Sequence, residues 1–521
     1  MSAERIHHAD LRTVAQIPGY HAERTPGVPA ITCAGRTLTY AELHVESNRV
    51  GHALIADGVR RGERISYLGV ESVHYYVTYF ACAKIGAVLV PINFRLTGPE
   101  VSHVLRDSGS TLLVVDDELR PVIQEAAATI TGLRVRGAAT ADFAEWTQPH
   151  PTIDPPEVTG PEDAVVQLYT SGTTGLPKGV VLAQRSFFAV RDSLAASDLD
   201  WIDWREGDRS LIGIPGFHVG GIWWATQGFS AGITNVAMPR FDSTGALRLI
   251  GEGITTACVV PSMLRLLLAE PGVDEEAFSS LRKVVYGGSP IAEALLQEAL
   301  PVFDCEFAQI YGLTETGNTA VCLPPADHVV GSPRLRAAGR PYPAVDVKVI
   351  DNDGNTLPVG EIGEVCLRTP AHMIEYWGLA EATAATLVDG WIHTGDAGRL
   401  DEDGYVFISD RLKDMIIVGG ENIYPAEIEN ALAKHPAVAE VAVVGVPNDK
   451  FGEAVHAFVT VRPGEAVDRR ELFVFSRERL ASFKIPSRFE FVDRVPRNPS
   501  GKILRRELRD RFWSGRDRQV N

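Results

Sequence analysis

The sequence predicts an α/β fold: a large N-terminal domain of parallel-rich sheets layered with helices, followed by a small α+β C-terminal domain. Three observations predict it. Strand and helix signals alternate through the first third of the chain. The chain has 521 residues, and chains beyond about 250–300 residues split into domains. From Asp414 onward the pattern tightens into a compact alternation, and about 110 residues suffice for a small domain. The boundary is expected within Asp410–Lys413, which gives domains 1–412 and 413–521.

Thr39 and Glu42 have the spacing of a capping box, and Leu43, Val50, Leu54 and Ile55 follow at roughly helical spacing, so a helix starts there. Arg64–Val70 reads as a buried strand, Val73–Ile85 as a helix, Ala87–Ile92 as a strand, and Thr111–Val115 as a further short strand. Residues 147–162, rich in Pro and Thr, read as a surface connection. A strand at Ala164–Tyr169 then runs straight into a Gly/Ser/Thr loop. In the tail, strands are expected at Met415–Val418, Glu440–Val446 and Val455–Val461, with helices near Pro425–Lys434 and Arg470–Leu480.

The net charge of −17, from 67 acids against 50 bases, argues against a nucleic-acid partner, because a phosphate backbone needs a basic footprint. Only nine of the 50 bases are lysine, so a lysine in a glycine-rich segment stands out. The six cysteines are scattered, without a CxxC pair or zinc spacing, which fits a reducing compartment. The N-terminus lacks a signal-peptide core, and no apolar run approaches the ~20 residues of a membrane span. A cytoplasmic protein without a transmembrane segment is expected.

The segment Tyr169–Gly179 carries the strongest chemistry. Its glycines permit tight turns, so backbone N–H groups can converge on an anion. Thr170, Ser171, Thr173 and Thr174 add hydroxyl donors, and Lys178 adds positive charge. This suits a polyphosphate. A Walker loop needs Gly-Lys-Ser/Thr, whereas Lys178 sits between Pro177 and Gly179, which disfavours a P-loop kinase or GTPase.

This segment resembles the phosphate loop of the adenylate-forming superfamily: acyl-CoA synthetases, aryl-CoA ligases, luciferases and peptide-synthetase adenylation domains. The resemblance covers nearly the whole chain, because the later blocks follow in the family's order and spacing. It implies that Thr170, Ser171, Gly172, Thr173, Thr174, Gly175 and Lys178 bind ATP. In Gln309–Glu315 it implies Tyr311 against adenine, Gly312 in the ATP site, Thr314 on phosphate and Glu315 as the Mg²⁺ ligand, with Thr314 and Glu315 counted as catalytic. A hard cation on phosphates favours a carboxylate. Gly288 and Ser289 match the other adenine wall. Asp396, in Gly390–Asp396, matches the aspartate that accepts from both ribose hydroxyls. Arg411 matches an arginine on ribose and phosphate, Lys413 the interdomain hinge of a mobile C-terminal domain, and Gly419 and Gly420 the CoA tunnel. Lys502, after Pro-x-x-Pro-Ser-Gly, matches the catalytic lysine.

For the acyl site, the resemblance implies a catalytic role for His218, near the acyl carboxylate, and a pocket bordered by His218, Val219, Gly220, Gly287 and Gly312. Peptide-synthetase domains carry Asp where this chain has His218, which counts against an amino-acid substrate. Gly220 and Gly221 are expected to leave room. Trp223 and Trp224 read equally as pocket wall or core packing. The expectation is an ATP-dependent carboxylate–CoA ligase working through an acyl-adenylate. It would use ATP, Mg²⁺ and coenzyme A on a fatty acid or an aromatic or alicyclic carboxylate, with a homodimer as the candidate oligomer. The alternatives are an enzyme that loads a carrier protein, a luciferase-like oxygenase and a catalytically silent nucleotide binder.

Overall fold

The structure, a computed structural model, describes residues 4–156, 159–170, 177–289, 291–418, 421–448, 450–497 and 502–514. Its nine-stranded sheet runs in the order Arg340–Pro341, Val321–Leu323, Glu306–Tyr311, Lys283–Gly287, Thr256–Val259, Arg209–Ile212, Thr234–Ala237, Pro29–Cys33, Arg36–Thr39. The strands from Glu306–Tyr311 through Pro29–Cys33 are parallel, and antiparallel partners flank them. A seven-stranded sheet runs Glu375–Tyr376, Lys178–Ala183, Ala164–Thr170, Val88–Ile92, Arg64–Leu68, Leu112–Val115, Arg134–Gly137. It is parallel from Ala164–Thr170 onward. The parallel-rich α/β expectation therefore holds.

Every residue of helix Val73–Ile85 is buried. It packs against strands of both large sheets, which accounts for its being buried all round. The Ser72 hydroxyl accepts the Tyr75 N–H at 3.1 Å, and Gly86 ends the helix with a left-handed φ of 68°. Helix Tyr40–Ala56 starts at the expected capping box: Thr39 N–H donates to Glu42 Oε2 at 2.8 Å, and Glu42 N–H donates to Thr39 Oγ1 at 3.3 Å.

A third, wholly antiparallel sheet joins Asp346–Ile350, Gly363–Arg368, Leu387–Val388, Trp391–Leu400 and Val406–Arg411. The sequence reading did not separate it from the parallel layers. Aspartates shape the turns that follow strands Asp346–Ile350 and Trp391–Leu400, neither of which is followed by a crossover helix. Asp351 Oδ1 accepts from Asp353 N (2.9 Å) and Asn355 N (2.8 Å), and Asp401 Oδ1 accepts from Tyr405 N (2.8 Å).

The tail forms a five-stranded sheet of Glu421–Ile423, Ile416–Val418, Gly452–Val461, Val438–Asn448 and Arg488–Phe491. Helices Pro425–Leu432, Arg469–Arg477 and Arg505–Trp513 accompany it. Its two apolar clusters draw only on residues from Ile416 onward. Polar contacts tie it to the preceding layers: Arg265 Nη1 donates to Ala439 O (3.0 Å) and lies 3.5 Å from Glu440, while Lys434 lies 3.5 Å from Glu293. No helix among the described residues is long and apolar enough to cross a membrane.

Candidate active site

In open α/β sheets, ligands gather at the carboxyl ends of parallel strands, and the motif residues collect there. Thr170 ends one strand, Lys178 opens the returning strand, and the two are register partners across the hairpin. Ser171, Gly172, Thr173, Thr174 and Gly175 lie between them, outside the described residues. The Lys178 Nζ stands 4.9 Å from the centroid of the Tyr376 ring, at cation–π range. The Tyr376 hydroxyl donates to Glu315 Oε1 at 2.7 Å, and the Glu315 carbonyl accepts Met373 N–H at 2.8 Å. Tyr376 is held there by its strand, where it pairs with Val180. Burial and the neighbouring Glu315 carboxylate push the Tyr376 phenol well up, so it stays a donor. One aromatic side chain thus joins Lys178 to Glu315.

The next group forms on adjacent strand ends. Gly287 and Ile310 are register partners, and a Cβ on Gly287 would come within 2.4 Å of Ile310 O. A Cβ on Gly312 would come within 2.4 Å of Asn318 O. Close backbone approach therefore requires both glycines. Gly288 has a positive φ of 81° and Ser289 follows it. Thr314 and Glu315 open the turn Thr314–Thr316, and Glu315 is buried. The Tyr311 hydroxyl donates to Asp396 Oδ2 at 2.8 Å, and Arg411 Nε lies 3.1 Å from Asp396 Oδ1. Asp396 and Arg411 face each other across antiparallel strands. Burial opposes the Arg411 charge, but Asp396, Tyr311, Glu315 and Asp414 outweigh it and hold the guanidinium above its ordinary value. Glu364 braces the turn before Asp396, accepting Gly395 N–H at 2.9 Å and lying 3.0 Å from His393 Nδ1.

His218 N-caps helix Val219–Ala231. Its Nε2 is sealed from solvent and has no hydrogen-bond partner among the described residues. Burial, then the charges of Arg95 and Lys502, lower the imidazole to about 4, so it is neutral at physiological pH. A Cβ on Gly220 would meet Asn318 Oδ1 at 3.6 Å and Ile214 Cδ1 at 3.7 Å, ordinary contact distances, so a small side chain would fit there. Gly221 differs: a Cβ would fall 2.3 Å from both Ile214 O and Pro215 O, so this glycine serves backbone packing. Trp223 and Trp224 are both buried in the main core, and the Trp224 Nε1–H donates to Leu211 O at 3.2 Å.

Lys502 is exposed, and its charge reaches His218. It sits beside Ile503, which bridges to Arg497, and Arg497 lies 3.2 Å from Glu440. Lys413 lies in the turn Leu412–Asp414. Gly419 and Gly420 lie outside the described residues. Sequence reasoning missed Tyr376, Arg95 and Asn318. Asn318 carried the only faint signal, since it follows the Thr-Glu motif closely. It is buried, has a positive φ of 97°, and its Nδ2 lacks a partner among the described residues.

Tyr311 and Arg411 thus meet on the buried Asp396, and the buried Glu315 is joined through Tyr376 to Lys178. The AMP-binding enzyme family matches residues 20–377 and the AMP-binding enzyme C-terminal domain matches residues 427–502. The chain belongs to this adenylate-forming family and is a ligase of the AMP-forming type. It is 62% identical over 520 residues to a fatty acid–[acyl-carrier-protein] ligase of Streptomyces coeruleorubidus, covering 99% of this chain and 100% of that one. It is 38% identical over 480 residues to a long-chain fatty acid–CoA ligase of Mycobacterium tuberculosis, covering 91% of this chain and 93% of that one. The solved structure of an anthranilate CoA ligase in complex with anthranoyl-AMP matches with a TM-score of 0.89 at 28% identity, covering 96% of this chain and 97% of that one.

Proposed function

We propose that this protein activates a fatty acid as its acyl-adenylate and passes the acyl group to the phosphopantetheine thiol of a carrier protein. The observation that carries adenylation is the Tyr311–Asp396–Arg411 group, an aromatic ring, a carboxylate and a guanidinium joined by hydrogen bond and ion pair, with the charge of Glu315 reaching Arg411. The acid and the acceptor are supported by the 62% identity to a fatty acid–[acyl-carrier-protein] ligase along essentially the whole chain. Free coenzyme A is the second reading, supported by the 38% identity to a fatty acid–CoA ligase.

In the first half-reaction a substrate carboxylate oxygen attacks the α-phosphorus of ATP. The new P–O bond forms as the bond to the β-phosphate breaks, and pyrophosphate leaves. Such chemistry is mostly positioning and charge stabilisation. Asp396 and Tyr311 orient the nucleoside, Lys178 and the 170–175 hydroxyls hold the leaving phosphates, and Lys502 steadies the charge between carboxylate and α-phosphate. Glu315 fits a Mg²⁺ ligand: it is a buried carboxylate with one oxygen held by Tyr376 and no ion-pair partner among the described residues. There Mg²⁺ would offset the charge of the phosphates. Neutral His218 borders the acyl carboxylate without adding a charge of its own. In the second half-reaction the thiol sulfur attacks the acyl carbon, the C–O bond to phosphate breaks, and AMP leaves while the thiol proton passes to solvent. We place the domain boundary at 412/413. Rotation there withdraws Lys502 and brings Gly419 and Gly420 to the site, since one site serves two reactions.

The test is acid-dependent pyrophosphate release from Mg·ATP across short, medium and long fatty acids, benzoate and a bulky alicyclic acid. Each is repeated with CoA and with a phosphopantetheinylated carrier. Acyl-carrier without acyl-CoA is expected. Acyl-CoA alone would select the second reading, and no acid-dependent pyrophosphate would refute both.

A further inference from the structure

The turn after strand Arg64–Leu68 and the turn after strand Arg209–Ile212 come from different sheets and meet at one residue, Gly216. Glu71 Oε1 accepts the Gly216 N–H at 2.6 Å, and the Tyr75 hydroxyl donates to Gly216 O at 2.9 Å. The N–H and the carbonyl of Gly216 are thereby held by the turn after strand Arg64–Leu68 and by the helix that follows it. The approach is close enough that a Cβ on Gly216 would lie 2.5 Å from the Tyr75 hydroxyl oxygen. Glu71 Oε2 in turn accepts from the Tyr76 hydroxyl at 2.6 Å, which fixes the carboxylate plane. Two residues beyond Gly216, His218 donates its backbone N–H to Pro215 O at 2.9 Å and starts helix Val219–Ala231. The imidazole whose Nε2 lacks a partner among the described residues is thus carried by a turn pinned at Gly216, two residues before it.

We propose that Glu71 is a positioning residue for the acyl site: its carboxylate clamps Gly216 and so sets where His218 points. This rests on the reading of Pro215–His218 as the turn that meets the acyl carboxylate. A carboxylate is an unusual choice for a purely structural clamp. Glu71 is buried, and no basic side chain pairs with it among the described residues. Its titratable neighbours are Cys33, whose thiol donates to the Glu71 carbonyl at 3.3 Å, and Tyr67, Tyr75 and Tyr76. Burial raises all of these, so none is charged near neutrality. Burial likewise raises Glu71 to about 7. An ionisable group kept in such surroundings is disfavoured unless its hydrogen bonds serve a purpose. Here they hold a turn in which a small displacement of His218 misaligns the nucleophile.

The experiment compares the full-length enzyme with Glu71→Ala, Glu71→Gln and Tyr75→Phe, measuring KM for the acid and KM for ATP separately in the pyrophosphate assay. Loss of a hydrogen bond to a charged acceptor predicts that Glu71→Ala raises the acid KM about tenfold or more, with the ATP KM within about twofold. Glutamine still offers an oxygen to Gly216, so Glu71→Gln should keep the acid KM within about threefold of wild type. Tyr75→Phe keeps the ring but frees Gly216 O, and should raise the acid KM about threefold. It carries the test alone should Glu71→Ala fail to fold. Equal rises in both KM values, no change with either Glu71→Ala or Tyr75→Phe, or a Glu71→Gln as impaired as alanine would overturn the proposal. A wild-type enzyme inactive with every acid overturns the acyl-site reading and this proposal with it.

Discussion

Glu71→Gln should make the fold more stable, by a margin that grows as pH rises from 4.5 to about 7. Burial raises the Glu71 carboxyl from 4.5 to about 7, against the smaller opposing effect of hydrogen bonds from Tyr76 and Gly216. The folded chain therefore holds a proton that the unfolded chain has already released, and stability falls as pH rises from 4.5 to about 7. Above that window the penalty is complete. A difference of about 2.5 in pKa, at 1.36 kcal/mol each, amounts to about 3 kcal/mol. Below pH 4.5 both states are protonated and the penalty is absent. Glutamine never ionises, and it can accept from Gly216 while donating to the Tyr76 oxygen, so it escapes the penalty without orphaning a partner. Urea unfolding followed by tryptophan fluorescence, at pH 8 and pH 5, measures this. The expected gain is about 3 kcal/mol at pH 8 and under about 1 kcal/mol at pH 5. The same gain at both pH values would show that ionisation is not its source. A loss at pH 8 would show that the charged form stabilises the native state, which reverses the reasoning.

Lys502→Ala should slow acid-dependent pyrophosphate release by about 10²–10³ while transfer from supplied acyl-adenylate to the thiol stays near wild type, and equal loss of both steps would exclude the assigned role. Tyr376→Phe removes the hydroxyl on Glu315 but keeps the ring beside Lys178, so adenylation should fall about tenfold; Tyr376→Leu should fall further, and identical effects would dismiss the ring–lysine contact. Arg265 and Glu440 are partly exposed, so their ion pair is screened and is worth about 0.5–1 kcal/mol. Alanine at either position should slow adenylation about two- to fivefold without touching thiol transfer, and a double mutant with fully additive losses would show that the two do not act as a pair.

Where neighbours in sequence determine structure, the sequence was enough. Helix Val73–Ile85 was read with the bounds the structure has, because a serine cap, a mostly aromatic and aliphatic run and a following glycine are all local signals. The same holds for the Thr39–Glu42 capping box. The parallel sheets followed from strand and helix alternation. The antiparallel sheet of 346–411 did not, because two of its connections turn on aspartates, at Asp351 and Asp401, without an intervening helix. In the site, the motif residues were legible through their order along the chain, whereas the side chains that tie them together were not. Tyr376 reaches Glu315 across 61 residues and Glu71 reaches Gly216 across 145, and no spacing rule spans such separations. Gly221 shows the converse error. It read as room for substrate, but only the fold reveals that the chain's own carbonyls fill that space.

Arg411 is paired with Asp396 and is also the residue immediately before the turn Leu412–Asp414. On the proposed reading, the nucleoside contact Arg411 and the hinge Lys413 are therefore separated by a single residue, Leu412. On the proposed two-posture cycle, this makes occupancy of the nucleotide pocket and orientation of the tail linked equilibria, and linkage is reciprocal. Whatever favours one posture, including a docked carrier, must alter AMP affinity by the same factor by which AMP alters that posture. Release of the spent nucleotide and return of the tail are then one coupled event, and a carrier that leaves slowly would retain AMP.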